Sequence, residues 1–268
     1  MTFRSSASYL KHRIAEVYGY RNMISSLVKR DLKGRYRNSA LGFLWNFMNP
    51  LFQMIIYYIV FSALMPFTME AYYVFLPVGM IPWLFFSGSM NEGSKCVVNN
   101  SSMICKINFP REVVPITTVL SNFINFLISY AMVFALIAMT GHGFNGIALT
   151  LLPIIIALQL IFILGIVFMT SATNVYYRDV SSVIGVLMMG MIWITPVMYR
   201  SYFDDALLHM VLTYNPMTYF MNVYHDILYF KTVPDLFDLG VCTLLATITI
   251  IVGWLIFVKL QRRFAEEL

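Results

Sequence analysis

Charge is scarce in this sequence. Of its 268 residues, 12% are Asp, Glu, Lys or Arg, against about 25% in soluble domains. Cysteine is scarcer still. Cys96, Cys105 and Cys242 stand apart without a CxxC pair, which excludes a disulfide framework and a zinc site; they read as small buried apolar residues. His12, His142, His209 and His225 are equally dispersed, and no HExxH or other metal spacing occurs. No GxxxxGK[ST] phosphate loop is present. Neither a repeat nor a Gly/Ser- or Pro-rich linker divides the chain, so residues 1–268 are expected to form a single domain. The first 40 residues are basic and contain no long apolar run, so no cleavable signal is expected there.

Apolar residues are abundant instead. They make up 59% of the chain, and the mean hydropathy is +0.73. A soluble domain of this size could not hide that much apolar surface, so lipid is the expected solvent. This excludes a soluble enzyme, a secreted disulfide scaffold and a disordered chain. Six hydrophobic runs are present, at 41–65, 72–89, 113–140, 147–173, 181–199 and 239–258. Each is near the ~20 residues that a helix needs to cross the hydrocarbon. The runs are continuous rather than alternating, and a helix satisfies its backbone hydrogen bonds within one segment. The expected fold is all-α and integral to the membrane, with six transmembrane helices.

Lys and Arg give the orientation. With the N-terminus in the cytoplasm, 16 of the 18 basic residues face that side and only Arg200 and Lys231 lie outside. An even span number keeps both basic termini, 1–40 and 259–268, in the cytoplasm, flanking a membrane domain at 41–258. The net charge of +5 is thus sorted by side and does not point to nucleic acid. In the external stretch 200–238, Pro216 should break Ala206–Thr213 from Met217–Phe230. Two short helices that dip into the outer leaflet or cap a pore are expected; an interfacial aromatic belt is the alternative.

None of the six runs contains Asp, Glu, Lys, Arg or His. Ion-coupled transporters keep ionisable groups at membrane depth, and intramembrane hydrolases need an acid–base pair or metal ligands. Uphill transport by this chain would draw its energy from another chain. The polarity that is present is neutral. Asn46, Asn49, Gln53 and Tyr57 are spaced 3, 4 and 4, within an arc of about 80° on a helix. Thr118, Asn122, Asn125 and Ser129 repeat the pattern in the third run. Such stripes either bond helix to helix or line a polar path. Trp45, Phe52 and Tyr57 lie on or beside the first stripe, and Met189, Trp193 and Pro196 follow one another in the fifth run. Aromatic faces beside amides suit sugars, although most aromatics in membrane helices simply pack.

Two cytoplasmic elements stand out. Met23–Arg37 reads as an amphipathic interface helix, with Ile24, Leu27, Val28, Leu32 and Tyr36 on one face. Lys29, Arg30, Lys33 and Arg37 oppose them, while Asp31 and Arg35 fall on the apolar side. It is either an anchor or a contact for a cytosolic partner. In 99–112, Ser101 or Ser102 is expected to cap a short helix that Pro110 stops. Held between two spans, that helix is a mechanical handle. Arg111 and Glu112 would pair with a partner subunit, with Arg178–Asp179, or locally.

The run Leu27-Val28-Lys29-Arg30-Asp31-Leu32-Lys33-Gly34-Arg35-Tyr36-Arg37-Asn38-Ser39-Ala40-Leu41-Gly42-Phe43-Leu44-Trp45, then Asn49-Pro50-Leu51, resembles the start of ABC-2 type permeases that export O-antigen, teichoic acid and related polysaccharides. Lys106–Glu112, Tyr176–Val180 and Asn215-Pro216 resemble that family's later loops and external helices. The resemblance implies a homodimer in the cytoplasmic membrane, joined to two separate ATP-binding subunits. ATP and Mg would be held by those partners, with no cofactor, metal or catalytic residue in this chain. It implies a channel for a lipid-linked polysaccharide lined by Trp45, Asn46, Asn49, Phe52, Gln53, Tyr57, Phe85, Met189 and Trp193. It implies coupling through Ser102, Met103, Ile104, Lys106, Ile107, Phe109, Pro110 and Arg111, with Leu27, Lys29, Arg30, Lys33 and Arg37 in the interface helix. Tyr214, Asn215 and Pro216 would form the external gate. One alternative is a related permease for a small hydrophobic compound. Another is a membrane-embedded lipid or glycan enzyme, for which Asp204-Asp205 and His225-Asp226 are the external candidates; both pairs read as solvated charges.

Overall fold

A computed structural model describes residues 13, 15–35, 44–64, 69–200 and 206–268, with side chains other than those of 46, 47, 64, 206–209 and 265. Arg37, Asp204, Asp205 and the side chain of Asn46 therefore lie outside the described residues. Among the described residues the chain is helical and has no strand. The helices are α1 (Arg21–Arg35), α2 (Trp45–Leu64), α3 (Tyr72–Gly93), α4 (Cys96–Asn99), α5 (Ser101–Lys106), α6 (Val113–Thr140), α7 (Gly146–Leu149) and α8 (Leu152–Tyr176). They continue with α9 (Asp179–Ile194), α10 (Ala206–Tyr214), α11 (Pro216–His225) and α12 (Leu236–Leu260). A π-helical turn, Asp226–Phe230, extends α11.

Among the described residues, four helical stretches are long and apolar enough to cross a membrane: Tyr72–Gly93, Val113–Thr140, Gly146–Tyr176 and Leu236–Arg263. Shorter apolar helices occur at Met48–Ala63 and Asp179–Ile194. The fifth hydrophobic run thus ends as a helix five residues early. Thr195 turns extended, as the residue before a proline must. The second run extends four residues beyond its apolar stretch to Gly93, because nothing breaks the helix there. Glu92 consequently stands in the last turn of α3, and Asp179, Asp238 and Lys259 likewise sit in the terminal turns of α9 and α12. Helices α3, α9 and α12 are charge-free along their middles and carry charge only in their terminal turns.

Packing explains the order. At Gly253 an added Cβ would fall 1.9 Å from the Gly165 carbonyl oxygen, and at Gly165 it would meet the Thr249 backbone at 2.3 Å. Backbone contact this close requires small residues on both helices, so α8 and α12 form a tight pair. Helix α11 is driven into the bundle by Met217, Phe220, Met221 and Tyr224, all fully buried. Their spacing of 3, 1 and 3 forms one helical stripe. Tyr224 donates to Gln159 Oε1 at 2.7 Å, and Gln159 Nε2 donates to the Pro82 carbonyl at 2.9 Å, so α11, α8 and α3 share one buried polar line. An interfacial belt does not describe this helix.

A second apolar cluster gathers Leu27, Ile104, Phe109, Val113, Phe168, Phe257 and Phe264. It binds α1 and α5 to the neighbouring ends of α6, α8 and α12. This is the basic end of the molecule.

Candidate translocation cavity

The two amide stripes meet. A cavity of about 670 Å³ opens between α2, α3 and α6. From α2 it is lined by Trp45, Asn49, Pro50 and Gln53, and from α6 by Asn122, Asn125, Phe126 and Ser129. Helix α3 supplies Ile81, Leu84, Phe85, Gly88 and Glu92, and α1 supplies Arg35. Asn122 is held by charged neighbours, and Gln53 Nε2 donates to the Tyr57 hydroxyl at 3.4 Å. The Asn125 carbonyl oxygen has no hydrogen-bond partner among the described residues. Also among the described residues, no hydrogen bond joins one stripe to the other. Asn49, Gln53 and Asn125 thus line the cavity from facing helices, with the Asn125 oxygen buried and unpaired in its wall. Charge enters only at the basic end, where Arg35 pairs with Glu92.

Aromatic rings back this cavity. Phe85 and Phe126 stack at 5.0 Å, Phe126 and Tyr130 lie 5.0 Å apart, and Tyr130 meets Tyr224 of α11 at 5.8 Å. The series runs from the cavity toward α11. Phe123, Phe126, Tyr130 and Phe134 recur at spacings of 3, 4 and 4, a signal present in the sequence but not among the expected lining residues. Of the expected lining, Trp45, Asn49, Gln53 and Phe85 come together here. Phe52 is not among the cavity's lining residues and is exposed. Met189 and Trp193 sit on an outward face of α9, 75% and 58% exposed. Trp193 stacks on Phe61 of α2 at 6.4 Å, so that face continues onto α2.

Helix α5 begins at Ser101 and is preceded by Asn100, whose side chain donates to the Cys96 carbonyl rather than capping the helix. The expected serine cap is absent, and the helix ends at Lys106, before Pro110. Ile104, Phe109 and Pro110 point inward, Met103 and Arg111 are half-buried, and Ser102, Lys106 and Ile107 face out. Arg30 Nη2 donates to Asn100 Oδ1 at 3.4 Å, tying α1 to the start of α5. In α1, Leu27 and Val28 are buried while Lys29, Arg30 and Lys33 are exposed.

Arg111 donates to the Gln261 carbonyl, and its guanidinium lies 5.9 Å over the Phe264 ring. Glu112 accepts from Gln261 Nε2 at 3.0 Å and lies 3.7 Å from Arg13. Both residues thus pair locally with the terminal segments and not with Arg178–Asp179. The chain entering α6 passes directly beside the end of α12, which brings these groups together.

At the opposite end, Asn215 is buried and Tyr214 is 78% exposed. His225 is not a solvated charge. Its ring stacks on Phe75 at 3.9 Å and 3°, and Nε2 lies 3.3 Å from the Phe75 carbonyl. Burial pushes its pKa down to about 3. Burial likewise pushes Asp226 up to about 6, with the Asp238 and Asp235 charges adding to the shift. A neutral packed imidazole beside a half-buried carboxylate gives no acid–base pair poised on a substrate. Among the described residues no group of three or more His, Cys, Asp or Glu could hold a metal ion.

A bundle of long apolar helices around an amide-lined cavity suits a membrane transport protein. The chain belongs to the ABC-2 type transporter family, whose pattern it matches over residues 22–229. It is 32% identical over 260 residues to an O-antigen export system permease protein, RfbA, of Myxococcus xanthus, covering 95% of this chain and 98% of that one. It is 31% identical to an RfbA permease of Klebsiella pneumoniae, over 92% of this chain and 95% of that one. The polysialic acid transport protein KpsM of Escherichia coli is similar at 22% identity, over 86% of this chain and 90% of that one.

Proposed function

We propose that this chain is the channel-forming permease of an ATP-driven exporter that moves a lipid-linked cell-surface polysaccharide across the cytoplasmic membrane. The observation that carries the reading is the cavity of about 670 Å³ whose middle is lined by amides and aromatic rings without charge. A long glycan must slide, so its contacts must be many and individually weak. Aromatic faces contribute about 0.5–1.5 kcal/mol each, and neutral amides exchange hydrogen bonds with hydroxyls at small net cost. A fixed charge at mid-depth would hold the polymer instead. The amides also argue against a small hydrophobic cargo, which would leave them without partners.

The chain contributes walls, and two ATP-binding subunits contribute energy. Their closure is delivered through the outward residues Ser102, Lys106 and Ile107 of the handle and through α1. A second copy of this chain docks along the exposed face of α9 around Met189 and Trp193, beside α2. In this reading α2 and α9 complete six spans, and both termini are cytoplasmic. Helix α9 contains 16 residues, about 24 Å at 1.5 Å per residue, and the buried segment Val197–Met198 completes its crossing.

The test is replacement of Trp45 by Ala in cells that depend on this transporter for their surface glycan. Surface polysaccharide should fall while the permease still co-purifies with its ATP-binding subunit. Normal surface glycan in Trp45→Ala and in a Gln53→Leu variant would remove the cavity from the path.

A further inference from the structure

Two polar cavities share one ion pair. The cavity between α2, α3 and α6 ends at Arg35 and Glu92. Beyond the same two residues, at the basic end, lies a vestibule of about 620 Å³ whose wall includes Arg30, Asp31, Lys95, Asn99 and Asn100. Where the two meet, three side chains from three helices close a ring. Arg35 Nη2 of α1 donates to the Glu92 carboxylate of α3 and to Asn122 Oδ1 of α6, the latter at 3.0 Å. Asn122 Nδ2 donates to the same Glu92 oxygen at 2.9 Å.

We propose that Arg35, Glu92 and Asn122 form an ionic gate, closed in this structure, between the basic-end vestibule and the membrane cavity. Three features suit them to that work. The Arg35 and Glu92 side chains are 31% and 45% exposed, so the pair is partly hydrated, and hydrated pairs are weak enough to break in every cycle. Asn122 is buried and keeps one amide on Glu92 when Arg35 leaves, so opening strands no buried carboxylate. The moving partner is already connected: Arg30, on the same helix as Arg35, holds Asn100 at the start of α5. A displacement of α5 therefore reaches Arg35 through α1. The position of Arg35 on the apolar side of an otherwise amphipathic helix is explained as well, since that side faces Glu92.

The gate rests on the cavity being a transport path, but its test needs no cargo. In inside-out vesicles carrying the complete transporter, Cys96, Cys105 and Cys242 are replaced and single cysteines are introduced at Gln53, inside the cavity, or at Asn99, in the vestibule. Labelling by a charged, membrane-impermeant thiol reagent is then timed. Gln53→Cys should label slowly and Asn99→Cys quickly. Adding Glu92→Gln should speed labelling at position 53 by about three- to tenfold, the weight of a charge-assisted bond, and leave position 99 unchanged. The exchange Arg35→Glu with Glu92→Arg should restore slow labelling. Asn125→Cys serves as a second cavity reporter if Gln53→Cys does not insert. Equal rates at positions 53 and 99 in the unaltered gate, or no change with Glu92→Gln, would overturn the gate. Either result would leave the polysaccharide assignment standing, whereas a different cargo would leave the labelling pattern intact.

Discussion

Asn215 donates its side-chain amide to the Thr195 hydroxyl at 2.8 Å and to the Ile194 carbonyl at 3.1 Å. The same side chain accepts from Met217 N at 3.0 Å, capping α11. One buried residue therefore starts α11 and ties off the end of α9, where Pro196 has stopped the helix. Loss of a helix cap costs about 1 kcal/mol, and each buried group left unpaired costs about 1–3 kcal/mol more. Asn215→Ala should lower the thermal midpoint of the detergent-solubilised protein. Asn215→Asp keeps the cap and loses both donations, so it should fall between. Equal midpoints for all three proteins would show that the tie is not structural.

The α8–α12 contact gives a sharper steric expectation. At Gly253 a methyl group has nowhere to go, because it would lie 1.9 Å from the Gly165 carbonyl oxygen. Gly240, on the same helix, has nothing within 4 Å of its Cβ position. Gly253→Ala should therefore destabilise by about 1–3 kcal/mol or more through overpacking, seen as loss of a monodisperse peak on size exclusion. Gly240→Ala should elute as the unaltered protein does. If the two variants behave alike, the close approach of the helices is wrong.

The extent of α6 could be read from the sequence, because the run 113–140 is bounded at both ends by residues that stop helices. Gly141 takes φ +69° at its C-terminus, a conformation that glycine accepts without strain. The end of α3 could not, because apolarity marks where lipid ends and not where a helix ends. The two amide stripes were legible as faces, since periodicity specifies which side of a helix a residue occupies. Their meeting in one cavity was not, since periodicity names no partner. Arg35 shows the same limit. Its place on the apolar side was visible, but Glu92 lies 57 residues away. The burial of His225 does have a signal in the sequence: it lies four residues after Met221, on the stripe that buries α11, so packing outweighs the polarity of its ring.

The handle divides into a face that holds the protein together and a face left free. Arg111 reaches the Gln261 carbonyl and the Phe264 ring, so Arg111→Ala should lower the thermal midpoint, by about 1–3 kcal/mol in stability. Lys106 and Ile107 are exposed. Lys106→Glu and Ile107→Asp should leave the midpoint within about 0.5 kcal/mol of the original and reduce surface glycan while ATP hydrolysis by the complex continues. Unaltered export in both outward variants would place the coupling contact elsewhere. A stable Arg111→Ala protein with lost export would return Arg111 to the outward face.

Asp226 and His225 respond to acid in opposite senses. Burial, with the nearby charges of Asp238 and Asp235, holds Asp226 at about 6 against an ordinary value of 3.8. The folded protein therefore binds this proton more tightly than the unfolded chain, and stability falls as pH rises from about 4 through 6. His225, held at about 3 against 6.5, resists its proton when folded, so its contribution falls as pH drops below 6.5. Asp226→Asn removes the first effect alone. The variant should be more stable than the original protein at pH 7, where the original carries a half-buried charge. The advantage should shrink on acidification through about 6 and be gone near 4, where Asp226 is itself neutral. Across the same range the variant should lose stability more steeply than the original, because His225 is then unopposed. Thermal midpoints at pH 7, 6, 5 and 4 check both statements, and a stability difference independent of pH would show that Asp226 is not held in its uncharged form.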